Sequence, residues 1–99
     1  MMSEKRVHEY EITFKHLKNN KGEILANKAI DFVFANHDDI DVILEKLGEK
    51  NLFNDAEQTK QFVIGLKLFG DILIRNKDME LFSEIQPAFI SFMKKLKGK

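Results

Sequence analysis

The chain has 99 residues, with sixteen Lys and Arg against sixteen Asp and Glu, so its formal net charge is zero. At 43% hydrophobic with nine Phe it is too apolar to be disordered, and its length suits a single domain spanning 1–99. With no Cys it has no disulfide scaffold, no thiolate metal site and no cysteine nucleophile, and its balanced charge argues against a dedicated electrostatic nucleic-acid binder.

Residues 6–17 alternate. His8, Tyr10, Ile12, Phe14 and His16 fall on one face, and Val7, Glu9, Glu11, Thr13, Lys15 and Leu17 on the other. Period-2 alternation of β-formers predicts a half-buried strand whose core face is the even one. Lys18-Asn19-Asn20-Lys21-Gly22 is a turn signal. Residues 23–28 read either as a strand extension or as an irregular arm with a bulge. Alternation resumes at Ala29, with Ile30, Phe32 and Phe34 on one side. The two strands are expected to pair as an antiparallel hairpin.

Asn36-His37-Asp38-Asp39 opens a helix, with Asn36 expected as N-cap and Asp39 at the third helical position. Ile40, Ile43, Leu44 and Leu47 follow at helical spacing, and Gly48 lies near the expected end, with Glu49-Lys50 able to add a frayed turn. Asn54-Asp55-Ala56-Glu57 reads as a second capping box with Asn54 as cap. It starts a central helix over about 55–76. Phe62, Leu66, Phe69 and Leu73 form one apolar stripe, Ile64, Leu68 and Ile72 a second, and Val63 and Ile74 a third. A helix this apolar is buried on more than one side. Gly65 and Gly70 each cost about 1 kcal/mol against Ala in a helix interior, so both predict close approach of a neighbour. Asp78 is expected to cap a short helix carrying Leu81, Phe82 and Ile85. Pro87 fits the first turn of a final helix with Phe89, Ile90, Phe92, Met93 and Leu96 on its apolar face.

The resulting class is α+β: an N-terminal antiparallel hairpin followed by three to four helices in two layers. Open strand edges invite pairing with another chain. No stretch reaches the roughly 20 apolar residues of a membrane span. The opening Met1–Arg6 lacks the apolar run of a secretory signal, so a cytoplasmic protein is expected.

Few constellations carry chemistry. His8 and His16 share a strand face but lie about 27 Å apart at the usual rise of a strand, too far to ligate one metal. His37, Asp38 and Asp39 are adjacent at a helix start and diverge by about 100° per residue; capping explains them better than a metal does. No cofactor and no catalytic residue is assigned. Ser3, Ser83 and Ser91 lack a nucleophile-elbow context. A ligand or catalytic pocket lined by His8, Tyr10, His37 and Asp38 is the alternative reading, with His37 as acid/base because imidazole changes charge near neutral pH. Lys15, Lys18 and Lys21 with His16 at the turn, and Lys94, Lys95, Lys97 and Lys99 at the tail, are a third, weaker reading as phosphate contacts.

Lys5-Arg6-x-His8-x-Tyr10-x-Ile12-Thr13, Asn36-His37-Asp38-Asp39-Ile40 and Gly65-Leu66-Lys67-Leu68-Phe69, taken in this order, resemble a family of small bacterial proteins that carries only a domain-of-unknown-function label. The resemblance covers about residues 5–97. It implies a small α+β domain of the bacterial cytoplasm and brings no activity, cofactor or site residue. The leading expectation is therefore a non-enzymatic protein–protein interaction module, homodimeric through its strand edges or apolar helix, with itself or another protein as partner.

Overall fold

The computed structural model describes residues 6–26 and 28–98. Ser3 and Lys5, Asn27 of the 23–28 stretch, and Lys99 of the tail cluster lie outside the described residues. The elements are β1 (His8–Lys15), β2 (Ala29–Asn36), α1 (Ile40–Lys50), α2 (Ala56–Arg75), a single 3-10 turn (Glu80–Phe82) and α3 (Ile85–Lys97). This is the expected α+β order, an antiparallel hairpin followed by three helices. The chain groups into two compact units, residues 1–43 and 44–99, and the division falls inside α1.

In the first unit, β1 and β2 form a two-stranded antiparallel sheet in which His8 faces Asn36, Tyr10 faces Phe34, Ile12 faces Phe32 and Phe14 faces Ile30. His16 N–H donates to the Lys28 carbonyl in the same register. Ladder bonds alternate along an antiparallel pair, so the even residues bond across the hairpin and the odd residues turn their backbone groups outward. Beyond this point Lys18 pairs with Ile24, so the return side carries two more residues than the outgoing side. The bulged arm is thus the form that the described residues of the 23–28 stretch take. The turn is fixed by Asn19, whose Oδ1 accepts from the backbone of Lys21 and Glu23, and by Gly22 at φ +85°.

The even face is only partly a core. Phe34 is buried and Tyr10 half-buried, but Phe14 is 68% exposed and Ile30 62%. Sequence alternation shows which residues share a face and not how far along the strand a neighbour covers it.

Both expected capping boxes are displaced. Asp39, not Asn36, caps α1: its Oδ1 accepts from the backbone of Asp41 and Val42. Asn36 instead closes an Asx turn on the backbone of Asp38. Asp55, not Asn54, caps α2, accepting from Glu57 and Gln58 at 2.9 and 3.2 Å. Asn54 sits at φ +56° and accepts from the Asn51 side chain. Asn and Asp both serve as caps and as left-handed or turn residues, so an Asn-Asp run does not reveal which does which. α1 takes in Glu49 and Lys50 after Gly48, the added turn that the sequence allows, and stops at Lys50; Asn51 follows at φ +53° and its N–H donates to the Leu47 and Gly48 carbonyls. Asp78 caps nothing: the 3-10 turn has Met79 at its N-cap, without a side-chain bond.

The second unit is organised along α2. Its buried residues are Thr59, Val63, Gly70 and Leu73, and Leu66 between them is half-buried. These positions step by four and three, the seam of a helix that packs along one line. Thr59 fits because its hydroxyl donates to the Asp55 carbonyl at 3.0 Å. Gly70 fits because the Phe89 ring of α3 sits against it, 3.1 Å from where a Cβ would stand. Close approach at Gly70 is thus as expected. At Gly65 it is not: that position faces open space. Phe89 also meets Phe69 edge-on, and Phe62 meets both Phe53 and Phe92 edge-on at 5.2 and 6.3 Å. Gln86 Nε2 donates to the Leu73 carbonyl. These contacts run in opposite senses along the two helices, so α2 and α3 lie antiparallel. Pro87 falls in the first turn of α3, as expected.

Candidate functional site

The first unit holds the four residues read as a pocket and the open strand edges. At the near end of the hairpin the Tyr10 hydroxyl accepts from the Ile40 N–H at 2.9 Å and donates to the Asp38 carbonyl at 3.3 Å. Ile40 is the first residue of α1 and its amide has no intrahelical acceptor. A side chain of β1 therefore satisfies a helix terminus some thirty residues later in the chain. The Tyr10 ring lies between His8 and Phe34, with both centroids 6.4 Å away and near-parallel planes. Tyr10 is placed there by alternation, which puts His8, Tyr10 and the partners Phe34 and Asn36 on one face.

Of the four residues read as a pocket, the structure brings His8 and Tyr10 together and joins Tyr10 to Asp38 through the Asp38 main chain. The Asp38 carboxylate lies toward His37, with Oδ1 and Nε2 4.0 Å apart. The His37 side chain is 80% exposed. A pair this exposed contributes little, about 0–1 kcal/mol. The Tyr10 hydroxyl has its single proton engaged and one further acceptor site open. Among the described residues no group of three or more His, Asp or Glu could hold a metal ion.

The far end of the hairpin differs. Phe14, Leu17, Ala29 and Ile30 floor an open groove of about 730 Å³, with Lys15, His16, Lys18 and Lys28 around it. Leu17 and Ile24 at the arm are exposed as well. None of the three lysines has an ion-pair partner among the described residues. Sequence reasoning missed this groove because it placed Phe14 and Ile30 in the core. The available signal is the cations that flank those residues, Lys15, His16 and Lys18 after Phe14 and Lys28 before Ile30. The tail lysines Lys94, Lys95 and Lys97 occupy the last turn of α3, where they oppose its negative end.

The outer edges of the two-stranded sheet are unpaired among the described residues. On β2 the outward backbone groups belong to Ala29, Asp31, Val33 and Ala35, and Val33 is 68% exposed. No helix among the described residues is long and apolar enough to cross a membrane.

Residues 8–98 match the family described as a domain of unknown function with solved structure (DUF3861), and the chain belongs to that family. It is similar to a crystal structure, at 2.20 Å resolution, of a protein of unknown function (eca1910) from Pectobacterium atrosepticum SCRI1043. The two share 32% identity and a TM-score of 0.82, over 95% of this chain and 100% of the other. No curated protein matches.

Proposed function

We propose that this protein is a non-enzymatic protein–protein interaction module of the bacterial cytoplasm that self-associates through the outer edge of β2. The observation that carries the reading is a two-stranded sheet with an open edge whose apolar residues, Val33, Ile30 and Phe32, face solvent. A lone hairpin is marginal in water. Addition of a strand satisfies the outward N–H and C=O groups of Ala29, Asp31, Val33 and Ala35 and extends the sheet. The near-end cluster supports this reading over a pocket, because the Tyr10 hydroxyl is engaged at the helix start and His37 stands in solvent.

Light scattering across a dilution series tests it. The expected result is a mass near twice 11.6 kDa that falls toward the monomer in Val33→Lys, since a charge on a paired edge opposes strand addition. A monomer at every concentration, or a Val33→Lys variant that stays fully dimeric, overturns it.

A further inference from the structure

A strand edge alone does not say which way its partner runs. The distribution of charge in the first unit does. The far end of the hairpin carries Lys15, Lys18 and Lys28 with His16 beside them. The opposite end, where β2 passes into α1, carries Asp38, Asp39 and Asp41. Arg6, two residues before His8 at this same end, offsets one charge and the positive end of the helix dipole about half of another, which still leaves the three aspartates in excess and this end acidic. β2 has eight residues, so the two ends stand roughly 27 Å apart at a strand's rise. That is well beyond the screening length of about 8 Å at physiological salt, so the ends do not neutralise each other within one copy.

We infer that the occupant of the β2 edge is a second copy running antiparallel, with Val33 of each copy on the two-fold axis and the basic end of each hairpin beside the acidic start of α1 in the other. The inference rests on the self-association reading above and adds its direction and register. In a parallel arrangement like ends meet, basic on basic and acidic on acidic. An antiparallel pairing joins unlike ends twice, as a closed two-fold contact requires.

The register follows from what faces what. Only outward-facing odd residues can bond across the new edge. Centring on Asp31 sets two carboxylates directly opposite each other, which is destabilising. Centring on Phe32 sets Val33 against Asp31 of the other copy. Centring on Val33 sets Val33 against Val33 and Asp31 against Ala35, and brings Lys28 beside the turn before α1 in the second copy, where Asp38 stands. This last register alone combines an apolar central pair with opposite charges at both ends. It also extends the even face, with Ile30 and Phe32, continuously across both copies.

Absence of native Cys allows a direct test. Val33→Cys, treated with a short bis-maleimide at low protein concentration, is expected to form a covalent dimer in high yield, because directly opposed residues of a hydrogen-bonded strand pair stand about 5.5 Å apart. Asp31→Cys is expected to cross-link poorly. Lys28→Glu and Asp38→Lys, each alone, are expected to weaken dimerisation at least about tenfold, since each sets like charges together. Mixed in equal amounts they are expected to form a heterodimer of near wild-type affinity, which no misfolded variant could do. A wild-type dimer that Val33→Lys dissociates, but that ignores both charge variants and cross-links better through Asp31→Cys, overturns the direction and register and leaves strand-edge association standing. A wild-type monomer overturns both.

Discussion

Leu73 in α2 and Phe34 in β2 are both buried, yet different forces hold their surroundings. Around Leu73 the order comes from side chains. A seam from Thr59 to Leu73 and three edge-on aromatic contacts, Phe53–Phe62, Phe62–Phe92 and Phe69–Phe89, hold the helical unit. Around Phe34 the order comes from the backbone ladder and one phenolic hydroxyl. The helical unit is therefore sensitive to volume, and the hairpin unit to hydrogen bonding at a single point.

The sharpest way to break this contrast is Leu73→Ala. The side chain is 1% exposed, and emptying such a site costs about 2–5 kcal/mol, read as a lower midpoint in urea unfolding. Tyr10→Phe comes next. It keeps the ring beside Phe34 but leaves the Ile40 amide and Asp38 carbonyl without their partner, at about 1–3 kcal/mol. If Tyr10→Phe unfolds at the wild-type urea concentration, water replaces the hydroxyl and the hairpin is not tied to α1 through it. Asp55→Ala removes the cap of α2 and is expected to cost about 1 kcal/mol, whereas Asn54→Ala does not remove it. The two glycines give the smallest and most discriminating effects. Gly65→Ala gains helix propensity in open space and is expected to stabilise by about 0.5–1 kcal/mol. Gly70→Ala meets the Phe89 ring and is expected to lose that gain. Thermal denaturation of the pair, side by side, reads the difference directly.

Much of the fold was legible because it rests on periodicity. Alternation from His8 to Lys15 and from Ala29 to Asn36 located both strands, and apolar spacing located α2 and α3. What stayed hidden depends on contacts distant in sequence. The apolar stripes of α2 run through its large residues, whereas two members of the packed seam are Thr59 and Gly70, whose places depend on a carbonyl one turn back and a ring on another helix. Gly65 and Gly70 are the same residue in the same helix, and only the neighbour distinguishes them. Of the candidate site, the shared face of His8 and Tyr10 was legible. The meeting of Tyr10 with the start of α1 was not, because no local pattern encodes a cap supplied from another element.

That cap has a consequence for how the first unit assembles. The first amide of α1 gains its acceptor only when β1 is in place with its even residues on the correct side. A slip of one residue in the hairpin would turn Tyr10 to the opposite face and leave Ile40 open. Ile40 is thus a built-in reporter of strand register, and in hydrogen–deuterium exchange its amide is expected to open together with the ladder amides of Tyr10 and Phe34 and not with the later turns of α1.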